Sequence, residues 1–74
     1  MRLELYAEKV GGRRQLLDTF VASGRSIADV RQEAVSILMN VLFDRRLADV
    51  CVVTNGFGAM ICEVRRNGNG QNNK

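Results

Sequence analysis

Residues 35–43 read V-S-I-L-M-N-V-L-F, and only Ser36 and Asn40 are polar. Taken as part of one helix over residues 27 to about 46, the apolar side chains from Ile27 through Phe43 sweep roughly 240° at about 100° per residue. A helix lying on one small sheet needs an apolar stripe only a little over about 100° wide. The surplus has to meet something else, either a sheet that curls round the helix or a second protein surface. The feature therefore says more about partners than about chemistry.

The flanking segments supply the sheet. Residues 2–10 (R-L-E-L-Y-A-E-K-V) alternate at period two, as a half-buried strand does. Gly11-Gly12 marks a hairpin turn, because the favoured tight turns need φ > 0. Residues 13–21 (R-R-Q-L-L-D-T-F-V) return as a second strand. A two-residue turn pairs Leu3 with Phe20 and Ala7 with Leu16, and places Asp18 on the same apolar face. A three-residue loop presents Leu17, Thr19 and Val21 instead and spares the carboxylate. The two registers turn opposite faces of the second strand inward, and the residues alone leave both open. Ser26 suits an N-cap, and Asp29 completes a near capping box with a charge that favours the helix start. Arg45 and Arg46 fall in the expected last turn, where cations are favoured.

Residues 48–54 (A-D-V-C-V-V-T) form a β-branched strand, and Asn55-Gly56 is a strong hairpin signal. A two-residue turn or, with Phe57-Gly58, a four-residue loop fits the residues, and residues 59–66 return as the fourth strand. Val50, Val52 and Ile61 share one face of this hairpin; Cys51, Val53, Met60, Cys62 and Val64 share the other. Both faces are apolar, which a sheet with a helix on one side and water on the other does not need. The four-residue loop sets Cys51 opposite Cys62. The element order is ββαββ, and the expected fold class is α+β: two β-hairpins forming one mainly antiparallel sheet with a single helix packed on one face. Residues 1–66 make one domain, and residues 67–74 (N-G-N-G-Q-N-N-K) a disordered polar tail. In gross plan the chain resembles many stand-alone small proteins of bacteria and phages, some anti-CRISPR inhibitors among them. That likeness is of architecture over residues 2–66 and carries over no site residue.

The same element order places the charges. Strand one ends, the helix ends and strand four ends at one end of the sheet, so Arg13-Arg14, Arg45-Arg46 and Arg65-Arg66 converge there, with Lys9 close by. Guanidinium forks match carboxylate and phosphate oxygens, so this end suits an acidic protein patch or a phosphate backbone. It equally suits a solvated rim, with Glu8, Asp44, Asp49 and Glu63 as pairing partners of little net energetic weight. A stacking platform for single-stranded nucleic acid needs exposed aromatics beside the cations. Phe57, the exposed aromatic of N-G-F-G, lies at the opposite end.

At 74 residues and 46% hydrophobic, the chain is near the size at which a core is barely adequate. Self-association is a common remedy. Net charge is +3, and nine of the eleven basic residues are arginine. The longest apolar run is too short to span a bilayer, residues 1–20 carry no signal-peptide pattern, and the expected location is cytoplasmic. Cys51 and Cys62 fit no metal spacing, there is no histidine, and reduced structural thiols are expected. No nucleophile–base pairing is evident, so neither catalysis nor a cofactor or metal is expected. The expected function is a non-enzymatic protein-interaction module acting as a homodimer, with an interface drawn from Met39, Phe43, Val53, Phe57, Met60 and Val64. The alternatives are a nucleic-acid or nucleoprotein binder using Arg13, Arg14, Arg45, Arg46, Arg65 and Arg66, or a phage or mobile-element inhibitor that blocks a partner's functional surface.

Overall fold

The computed structural model describes residues 1–66, so the expected tail lies outside the described residues. The first alternating segment becomes β1 (Arg2–Glu8), paired antiparallel with β2 (Arg14–Val21). Then follow α1 (Ile27–Asn40), a small hairpin of β3 (Leu42–Phe43) and β4 (Arg46–Leu47), and the hairpin of β5 (Val50–Thr54) and β6 (Met60–Arg65). Strand order in the main sheet is β2-β1-β5-β6, antiparallel throughout. The fold is α+β, in an order that departs from ββαββ only by the small hairpin. No helix among the described residues is long and apolar enough to cross a membrane.

Both registers weighed for the first hairpin are present, one at each end. Lys9 N–H donates to the Arg13 carbonyl at 2.7 Å, closing a three-residue loop in which Gly11 and Gly12 take φ of 87° and 80°. That register holds to Tyr6↔Leu16; beyond a bulge the pairing becomes Leu5↔Asp18 and Leu3↔Phe20. Leu17 is the extra residue. The bulge lets Leu17 and Phe20 both pack on the core, turns Leu16 out, and leaves Asp18 exposed. Asp18 stands opposite Leu5 yet stays exposed, because β2 is an outer strand and α1 packs over β5 and β6.

The helix starts as the pattern indicates. Ser26 is the N-cap, and its side chain accepts from Asp29 N–H at 3.1 Å. Its end is a correction: α1 stops at Asn40, not near residue 46, and Arg45 and Arg46 lie outside it. Val41 is already extended (φ −98°, ψ 128°), and Leu42↔Leu47 and Phe43↔Arg46 pair across Asp44 and Arg45 at φ 54° and 72°. Two consecutive positive φ angles are the signature of a two-residue hairpin turn. Val41, Leu42 and Phe43 are β-branched or bulky, and extension lets Phe43 reach Phe20 of β2, with ring centroids 6.2 Å apart. A continued helix has no such contact. The wide apolar arc thus divides between a shorter helix and a hairpin that brings Phe43 to the β2 side of the core, while Ile27, Met39, Val41 and Leu42 stay exposed.

Leu3, Leu5, Val30, Ala34, Leu38, Cys51, Val53 and Val64 fill the space between sheet and helix. Each fully buried Leu or Val there contributes about 1.5–3 kcal/mol of transfer free energy. The β5–β6 loop has three residues rather than four, since Asn55 N–H donates to the Ala59 carbonyl at 2.9 Å; with the further bulge at Ile61, Cys51 stands opposite Val64 and Cys62 opposite Val53. The expected direct opposition of the cysteines is therefore not formed, and both thiols are free.

Val50, Val52 and Thr54 are also buried, on the face away from the helix. Register puts Tyr6 and Arg65 either side of Val50, and Glu4 and Glu63 either side of Val52. Arg14 reaches from β2 across β1 and β5 to Glu63 at 3.0 Å. Long side chains with polar heads thus roof the second apolar face. That face needs no second chain to cover it.

Candidate binding surface at the basic end

Antiparallel order brings the last residues of β1 and β6, the first of β2 and the β3–β4 turn to one end of the sheet. Lys9, Arg13, Arg14, Arg45, Arg46, Arg65 and Arg66 meet Glu8, Asp44, Asp49 and Glu63 there. That excess of cations equals the +3 of the whole chain.

Two clusters organise it. On the outer face, Arg65 donates to both Glu8 oxygens at 2.9 and 2.8 Å, its Nε lies 3.2 Å from Glu63, and Arg14 bridges Glu63 at 3.0 Å and Glu8 at 3.4 Å. The Arg65 fork holds the Glu8 carboxyl below its ordinary pKa, and Glu8 in turn raises that of Arg65. The Arg14 guanidinium carbon lies 6.0 Å from the Tyr6 ring centre, and Tyr6 donates to Glu4 at 2.9 Å. That hydrogen bond raises the Tyr6 pKa, with burial adding to it. At the strand ends, Asp49 accepts from Glu8 N–H at 2.8 Å and meets Arg66 at 3.0 Å and Arg46 at 3.4 Å. Arg66 Nε also donates to the Ala48 carbonyl at 2.9 Å. Four of the six expected arginines are thus held in ion pairs. Arg13, Arg45 and Lys9 make no ion pair among the described residues.

At this end lies an open cleft of about 460 Å³, lined by Gln15, Leu16, Leu17, Phe43, Asp44 and Arg46. Three of these residues are apolar, and Asp44 and Arg46 bring opposite charges. The sequence pattern did not point to it, because it depends on the bulge that turns Leu16 outward and on the small hairpin that carries Phe43 to β2.

The residues expected to form a protein interface are dispersed. Val53 and Val64 are 1% and 3% exposed within the helix-facing core, which corrects their reading as surface residues: β5 and β6 present these positions to α1. Phe43 is partly buried against Phe20. Met39 and Met60 are exposed, and Phe57 stands 97% exposed at the tip of the β5–β6 loop, opposite the basic end. The Asn55 side chain fixes that loop by accepting from Phe57 and Ala59 N–H at 2.7 and 3.0 Å. Among the described residues, no group of three or more His, Cys, Asp or Glu is placed to hold a metal ion.

No protein family, curated protein or solved structure matches this chain.

Proposed function

We propose that this protein is a non-enzymatic interaction module whose basic end takes an acidic segment of a partner protein. The observation that carries the reading is the cleft lined by Leu16, Leu17 and Phe43 together with Arg46, with the uncommitted Arg45 next in the chain in the β3–β4 turn. A site of that kind fits a peptide with carboxylates flanking an apolar side chain: the cleft supplies burial and the arginines supply charge. Nucleic acid fits it less well. Of the rings at this end, Tyr6 is overlain by Arg14 and bonded to Glu4, and Phe43 is partly buried against Phe20, so neither is a free stacking platform.

Fluorescence anisotropy at low salt, with four labelled probes, tests the reading. These are an acidic peptide carrying one leucine, the same peptide with alanine in its place, and random-sequence DNA and RNA. The leucine peptide should bind most tightly, lose affinity as salt rises, and weaken when Arg13 and Arg45 are both replaced by glutamate. Tighter binding of nucleic acid than of either peptide would transfer the function to the alternative reading. Absence of binding at low salt would reduce the basic end to a solvated rim.

A further inference from the structure

We infer that β6 is a docking edge for a second copy of this chain, paired antiparallel through Glu63 and Arg65 so that the two α1 helices lie side by side. The two outer strands of the sheet differ in how they are protected. On β2, Ala22 N–H donates to the Met1 carbonyl at 2.9 Å, so strand alternation turns the backbones of Thr19 and Val21 outward. Thr19 N–H is already taken by the Asp18 carboxylate at 2.8 Å, and the bulge at Leu17 breaks the edge. Both features block strand addition.

On β6, Arg66 N–H donates to the Asp49 carbonyl at 3.0 Å. Counting back, Val64 and Cys62 bond to β5, while the N–H and C=O groups of Glu63 and Arg65 point away from it. Among the described residues no strand lies beyond β6. From Cys62 to Arg65 its pairing with β5 is regular, and among the described residues nothing bonds to its outer edge.

Charge selects both the occupant and the register. Outward-facing residues must pair with outward-facing residues. Glu63 opposite Glu63, or Arg65 opposite Arg65, sets like charges face to face, which destabilises a strand pair. Sliding towards the loop meets the bulge at Ile61. Glu63 opposite the second copy's Arg65 leaves two opposite-charge pairs about a two-fold axis at Val64. The edge is complementary to itself.

The helix agrees with this arrangement. α1 packs on β5 and β6. Its Glu33 accepts from Ser23 and Gly24 N–H, just past β2, so that flank faces the β2 side. Val35 and Met39 lie on the opposite flank, above the β6 edge, and Met39 is 56% exposed. With strands about 4.8 Å apart, helices centred over each β5–β6 pair lie about 10 Å from one another, the separation at which helices pack.

The test needs no ligand, so it fails or succeeds independently of the basic-end reading. Sedimentation equilibrium should give twice the 8.2 kDa chain mass at high concentration. Arg65→Glu should move the monomer–dimer midpoint to a concentration about ten-fold higher or more. Because Arg65 also pairs with Glu8 and Glu63 within the chain, amide exchange on the unaltered protein is the second readout. The Glu63 and Arg65 amides should exchange more slowly as concentration rises. The chain mass at every accessible concentration would overturn the inference, as would a dimer in which those two amides exchange at a concentration-independent rate.

Discussion

Arg45→Gly should stabilise this protein, although glycine is a poor residue for the helix that hydrophobic periodicity extends through that position. Arg45 sits at φ 72°, the second of two consecutive left-handed residues in the β3–β4 turn. For an L side chain that conformation costs about 1–2 kcal/mol. Glycine removes this cost but loses more backbone freedom on folding, which returns about 0.5–1 kcal/mol. The net gain is about 0.5–1 kcal/mol, and a domain of this size should then melt roughly 2–8 °C higher. Were residues 41–46 helical, glycine in place of arginine would instead cost about 0.7–1 kcal/mol. The sign of the change therefore separates the two structures. Thermal melts and urea titrations of both proteins at matched concentration provide the measurement. A lower midpoint with an unchanged urea slope would refute the turn and the reasoning built on it. Since Arg45 is also an uncommitted cation of the basic end, the same variant should bind an acidic peptide less well while melting higher.

Gly24→Ala should destabilise by about 1–3 kcal/mol, because a Cβ there falls 2.7 Å from Asp29 Cβ and 3.3 Å from the Glu33 carboxylate. Gly56→Ala, with nothing within 4 Å, serves as the near-neutral control in the same urea titration. The Gly24 and Ser23 N–H donors hold the Glu33 carboxyl below its ordinary pKa, and the Arg65 fork does the same for Glu8. A carboxylate with a depressed folded pKa adds stability above its unfolded value of about 4.3 and loses it as pH falls through the folded one. Stability should therefore drop on acidification below that value, and Glu33→Gln should show a shallower acid limb. Burial pushes the Cys51 thiol up to about 12, so alkylation at mildly alkaline pH should label Cys62 while Cys51 reacts only on unfolding. Peptide mapping after labelling with and without urea checks this.

What could be read from the residues was whatever depends on local period and chain direction. Alternation in residues 2–10 marked β1, Gly11-Gly12 and Asn55-Gly56 marked the turns, and Ser26 marked the helix start, since each acts within a few bonds of itself. The gathering of the arginine pairs at one end was also legible. Antiparallel elements reverse direction at every turn, so element order places their ends before any packing is known. The rest depended on contacts between distant segments. Whether residues 41–46 continue the helix is a contest between local propensity and the burial of Phe43 against Phe20, and only the latter requires β2 to be in place. The bulge at Leu17 is a compromise between two registers that the residues leave nearly equal, settled because Leu17 and Phe20 both find the core while Asp18 stays in water. Arg14 meets Glu63, 49 positions away, only because β1 and β5 are neighbours in the order β2-β1-β5-β6. Hydrophobic burial has no direction along the chain, so which apolar face is covered, and by what, follows from three-dimensional neighbours that a linear pattern does not contain.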